Sequence, residues 1–134
     1  MTDSVGYSGK PLAQKLGIKA GDTILVVDAP EHYADVLAPL PADVTISGDA
    51  MEPSIVHAFI KTRAALDACA AHLVTLPRVG GALWISWAKK ASPQFVDLTE
   101  NGIREAVLPP GWVDVKVCAV DQNWSGLKFL RRRT

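Results

Sequence analysis

Cysteine is scarce in this chain: its 134 residues hold two, Cys69 and Cys118, and no Cys-x-x-Cys pair. The three histidines, His32, His57 and His72, are scattered. This excludes a disulfide scaffold and gives no ligand spacing for a metal, so no metal site is expected. Two reduced, buried thiols in a cytoplasmic protein are expected instead. Long apolar runs are absent as well, since the stretch 64–74 is interrupted by Asp67 and His72 and is far too short to span a bilayer. No membrane segment is expected. The opening MTDSVGYSGK has no basic patch ahead of an apolar core, so no secretory leader is read there. Net charge is zero, from 14 basic and 14 acidic residues.

The most informative absence is local. An apolar strand at residues 23–27, TILVV, runs into Asp28, Ala29, Pro30, Glu31 and His32 without a glycine. Glycine there would let the chain turn sharply and bring main-chain amides close to a phosphate or ribose. Pro30 instead fixes φ, removes an amide and suits the first turn of a helix. The bend therefore lacks the backbone clasp of nucleotide-binding α/β folds, and no cofactor is expected.

What is present is the alternation of strand and helix signals. Hydrophobic residues form 49% of the chain, with no low-complexity stretch, which excludes disorder as the main state. Pro11 opens a short helix that Gly17 ends. After the first strand, Tyr33, Val36 and Leu37 mark a helix that Pro39 and Pro41 stop. A short strand over 44–46 and a second apolar strand over 55–60 follow, joined by a bare connection of about eight residues that spans ~26 Å at full extension. That link reaches the other end of the sheet across one neighbour, though tautly. Thr62 caps a helix over 63–76, Gly80 and Gly81 turn the chain into a strand over 82–87, and Asp97 with Glu100 opens a helix reaching Val107. In VDVKVCAV, Val113, Val115 and Val117 alternate with Asp114 and Lys116, and DQNWSG turns the chain into a final strand over 127–132.

The phrases LPRVGGALWISW and WSGLKFLRRR resemble the second half of a class I methyltransferase domain. The resemblance implies an open, mostly parallel, Rossmann-like α/β sheet of about six strands. Helices would cover both faces and an antiparallel hairpin would close the chain. One domain over 1–134 is expected, made of a helical lead-in (1–20), strand and helix units (21–110) and a hairpin with a basic tail (111–134). The segments GYSGKPLAQKLGIKAGD, WAKKAS, DLTE and GWVDVKVCAVDQNWSGLK also resemble a family of small bacterial proteins of unknown function, which implies no known chemistry. The departure from methyltransferases lies in the first turn and at the end of the second strand, where Asp49 alone stands in for their acidic ribose ligand.

In such a sheet the carboxyl-edge loops gather Asp28, His32, Asp49, Lys61, Lys89 and Lys90 as candidate ligand contacts. His32 beside Glu31 suits proton transfer, and Lys89 and Lys90 suit an anion. A second candidate set lies in the family-like segments: Asp97, Thr99, Glu100, Asp114, Lys116, Asp121, Trp124, Ser125 and Lys128. Its hairpin members share a wetter face and are expected to form one connected site. Plain alternatives are solvated loops, helix capping by Asp97 and turn hydrogen bonds by Asp121. Trp84 is expected in the core, Trp87 under a helix or walling a planar ligand, and Trp124 in the hairpin turn as a packing or subunit anchor.

Charge is uneven: residues 1–60 hold eight acids and three bases, and residues 61–134 hold six acids and eleven bases. That asymmetry suits association or an anionic partner, while Arg131, Arg132 and Arg133 alone are poor grounds for nucleic acid. The reading is a non-catalytic binding or assembly module in the bacterial cytoplasm, with a homo-oligomer or protein partner in view. The alternatives are a small-ligand enzyme or S-adenosylmethionine-dependent methyltransferase using the edge loops, and nucleic-acid binding by the basic half.

Overall fold

The computed structural model describes residues 12–49, 51–107, 112–121 and 123–131. The readings that fall on the opening GYSGKP of GYSGKPLAQKLGIKAGD, Pro11 included, and on Arg132 and Arg133 lie outside the described residues.

Among the described residues ten elements follow in order: α1 (Leu12–Leu16), β1 (Thr23–Val27), α2 (Tyr33–Leu37), β2 (Thr45–Ser47), β3 (Ile55–Ile60), α3 (Arg63–Leu73), β4 (Ala82–Ala88), α4 (Glu100–Val107), β5 (Trp112–Ala119) and β6 (Trp124–Arg131). The strands form one sheet ordered β2-β1-β3-β4-β6-β5, with β2, β1, β3 and β4 parallel and β6 antiparallel to both β4 and β5. The expected α/β architecture of six strands with a terminal hairpin is what forms. The chain passes from the end of β2 to the start of β3 on the far side of β1, with no helix among the described residues between them.

Two cores sandwich the sheet because the central strands are apolar on both faces, as buried parallel strands are. On one face α3 and α4 cover Leu25, Val56, Ala58, Leu83, Ile85, Leu127 and Phe129. On the other, α1 and α2 cover Ile24, Ile55, Phe59, Trp84 and Trp124. Helix α3 starts where Thr62 Oγ1 accepts from Ala65 N at 3.0 Å, as expected from a threonine ahead of an apolar stripe. Gly81 turns the chain into β4 at a point where a Cβ would sit 2.7 Å from the Ser54 carbonyl oxygen, so only glycine fits.

Four local readings change. Pro30 lies ahead of α2 rather than in its first turn: the helix begins at Tyr33, and Pro30 O accepts from Tyr33 N in the preceding turn. Asp97 does not open α4. Thr99 Oγ1 accepts from Gly102 N, while Asp97 Oδ1 accepts from Arg63 N and helps begin α3. Trp124, Ser125 and Gly126 belong to β6, so the hairpin turn is confined to residues 120–123, where Val120 N donates to Trp124 O. Finally, a register shift between Asp114 and Lys116 leaves Val115 as an extra residue. That bulge reverses the alternation, so Val113 opposes Leu130 while Val117 opposes Leu127 on the other face. Val115 and Val117 are consequently exposed.

Candidate functional site

The chain leaves β1 for β2 on one side and returns to β3 on the other, so the strand order reverses at the β1/β3 boundary. Open parallel sheets form a crevice outside the carboxyl ends of the strands at such a point. A cleft of about 850 Å³ opens there, lined by the β1 end and bend (Val27 to His32), the β3 end (Phe59, Ile60, Lys61), Thr62, Ala65 and Cys69 of the α3 side, and Gln94, Asn123 and Trp124.

The bend achieves its sharp turn without glycine because Asp28 takes a left-handed conformation, φ 56°. Aspartate is among the few residues that tolerate this region, its short side chain being able to bond locally. Cys69 lines the cleft with its thiol pushed up by burial and by the nearby Asp28 carboxylate, which makes it a poor nucleophile. Both cysteines are free and half-buried rather than fully buried as expected.

At the rim, His32 Nε2 lies 2.9 Å from Asp121 Oδ2. Asp121 Oδ1 accepts from Asn123 N at 2.8 Å and Trp124 N at 2.9 Å, so the hairpin turn itself holds the carboxylate. The imidazole is half exposed, 51%, whereas Asp121 is 16% exposed.

Beneath the cleft lies a second polar group. Tyr33 Oη is 2.8 Å from His57 Nδ1, and His57 Nε2 is 2.6 Å from Ser86 Oγ, all three residues being buried. Burial alone lowers the His57 pKa to about 3 and raises that of Tyr33, so both stay neutral at ordinary pH. His57 stacks on Phe59 with centroids 4.4 Å apart, and Phe59 meets Trp124 edge-on at 5.2 Å. The aromatic floor of the cleft is thus pinned from below.

Of the first candidate set, Asp28, His32 and Lys61 line this cleft. Asp49, Lys89 and Lys90 do not. Asp49 Oδ1 instead accepts from Ser47 Oγ at 2.5 Å just past β2, and the Lys89 amide donates to Asn123 O. Lys90 lines a smaller depression of about 330 Å³ together with Trp87, Thr99, Glu100 and Arg104. Trp87 is buried on the α3/α4 face, as expected.

The second set does not form one site, because the bulge and the two faces of the sheet scatter it. Asp114 bonds Arg104 of α4, whose guanidinium holds the Asp114 carboxyl below the usual range. On the opposite face, Lys116 Nζ donates to the Lys15 carbonyl at 3.1 Å. Lys128 Nζ sits 6.0 Å over the Trp84 ring, its pKa lowered by burial and by Lys116 and Lys19. Ser125 is partly buried opposite Trp87, and Trp124 packs against Phe59. Asp121, in the turn, meets the cleft through His32, and Trp124, the first residue of β6, lines it.

Sequence reasoning missed Phe59, Gln94 and Asn123 as lining residues, and missed that His32 and Asp121 meet across 89 positions. The available signal was His57: a histidine inside an apolar strand demands buried partners. Among the described residues no cluster of histidine, cysteine and carboxylate side chains could hold a metal ion, and no helix is long and apolar enough to cross a membrane.

No family model matches the chain, and no curated protein does. Solved structures do. N-methyltransferase NodS from Bradyrhizobium japonicum aligns over 91% of this chain and 93% of its own, with TM-score 0.59 and 11% identity. A protein described as a possible exported protein from Bordetella parapertussis aligns over 92% of this chain and 65% of its own, with TM-score 0.61 and 10% identity. A Thermoplasma acidophilum protein assigned as a methyltransferase aligns over 93% of this chain and 76% of its own, with TM-score 0.57 and 9% identity. At such identities the likeness is one of fold: the chain has a methyltransferase-like α/β fold.

Proposed function

We propose that the chain is a small-ligand-binding module on a methyltransferase-like sheet, which reads its ligand with side chains in place of a glycine-rich backbone clasp. One observation carries this: the cleft lies at the β1/β3 reversal with Phe59 and Trp124 in its lining, while its bend is built from Asp28 and Pro30. Proline offers no amide there and an aspartate at φ 56° narrows the approach of a nucleoside to the main chain. Calorimetric titration with S-adenosylmethionine is expected to show no micromolar binding. Tight binding over the bend overturns the proposal.

The second reading, an S-adenosylmethionine-dependent methyltransferase, is favoured by the presence of a carboxylate, Asp28, in that same cleft. It predicts tight binding that Asp28→Asn abolishes. Asp49 and Lys89 lie outside the lining of that cleft. Membership in a small bacterial family, a cytoplasmic setting and a protein partner or second copy accompany the proposal. Nucleic-acid binding by the basic half is the third reading and requires affinity that falls steeply with salt.

A further inference from the structure

We propose that the cleft also performs proton transfer, with His32 as its general base and Asp121 as the residue that positions it. The inference rests on reading the cleft as a ligand site and goes beyond binding to turnover. His32 occupies the N-cap position of α2, yet its side chain makes no bond to that helix. It turns instead to the β5–β6 hairpin, where Asp121 receives it at 2.9 Å. A carboxylate only accepts hydrogen bonds, so Nε2 must carry the proton in that contact. This leaves Nδ1 as the basic nitrogen of the neutral ring, and no described residue bonds it. The pairing fixes tautomer and orientation together, the two properties a histidine base needs from its partner.

The surroundings suit the chemistry. Asp121 is itself locked by the Asn123 and Trp124 amides, so the carboxylate is held before any ligand arrives. Phe59 and Trp124 give the cleft an aromatic wall, and Lys61 lines the same cleft and supplies a cation for charge left behind. The fitting substrate class is a small planar molecule with an acidic C–H, N–H or O–H.

The direct probe is 5-nitrobenzisoxazole, a planar carbon acid whose ring opening needs only a base. His32 Nδ1 takes the C3 proton, and the C–H electron pair becomes the third bond of a nitrile. The N–O bond breaks, its pair leaves on oxygen as a coloured phenolate, and the imidazolium returns its proton to water. The whole protein is expected to accelerate this at least about 10²-fold over equal free imidazole, with saturation. His32→Gln should abolish the gain. Asp121→Asn keeps an oxygen for both turn amides but presents an NH₂ to the ring, forcing the other tautomer; it should lower kcat at unchanged KM. The imidazole ¹⁵N spectrum of the unsubstituted protein should show His32 protonated on Nε2, and a neutral ring protonated on Nδ1 overturns the proposal without any variant. Binding of 5-nitrobenzotriazole, an inert look-alike read by tryptophan quenching, separates the outcomes. Quenching without turnover overturns the base and spares the cleft, whereas neither quenching nor turnover overturns both.

Discussion

Two histidines sit on the same side of this molecule and meet opposite fates. His57 is sealed in the sheet, bonded through both ring nitrogens to Tyr33 and Ser86 and stacked on Phe59. His32 stands half exposed at the cleft rim with one nitrogen held by Asp121. Burial with complete pairing makes an imidazole a neutral structural peg, while partial exposure with one partner leaves it chemically available. The residue type is identical; what differs is how many of its bonds the fold consumes.

The largest effect should come from breaking the buried side. His57→Leu strands two buried hydroxyls and should cost about 2–5 kcal/mol in urea unfolding, against less than about 0.5 kcal/mol for His32→Gln at the solvated rim. Adding Tyr33→Phe to His57→Leu should return part of that loss, because an apolar pair no longer buries an unmet donor.

Acid sharpens the contrast next. Unfolded, His57 takes a proton near pH ~6.5, but folded it does so only near about 3. Between those values the unfolded chain binds more protons, so the stability contributed by the neutral ring is present above pH ~6.5 and is lost as pH falls through the window. A slope of up to ~1.4 kcal/mol per pH unit is expected below pH ~6. His57→Gln should flatten it between pH 6 and 5, above the range where carboxylates dominate.

Smaller again is the packing around that peg. A Cβ on Gly126 would stand 3.1 Å from Trp84 Cε3 and 3.2 Å from Ser86 Oγ, so Gly126→Ala should cost about 1–3 kcal/mol by crowding both. More modest still, Thr62→Ala removes the acceptor at the start of α3 and should cost about 1 kcal/mol in the same assay.

Much of the architecture was legible because its signals were local. The apolar strand Ile55–Ile60, the cap at Thr62 and the Gly80–Gly81 turn each announce themselves within a few residues, and the structure places them where the sequence does. The parallel order also followed from strand and helix alternation. The cleft was legible in part, since the carboxyl edge and the candidates Asp28, His32 and Lys61 follow from topology alone. Its pairings were not. The His32–Asp121 contact depends on the hairpin turn folding back over the edge, and the scattering of Asp114, Lys116 and Lys128 depends on one extra residue at Val115. Period-two alternation carries no warning of a bulge, because the residue types Val, Lys and Val read the same whether or not one of them is left unpaired.

That extra residue has a consequence at the margin of the sheet. β5 is an outermost strand of eight residues with two exposed valines, the kind of surface on which a neighbouring chain could add its own strand and grow a fibril. Val115 kinks that border and Lys116 beside it puts a cation there, while the opposite border, β2, is only three residues long. Copies of this protein are therefore discouraged from zipping together edge to edge, which leaves helical faces and loops as the surfaces through which any assembly would form.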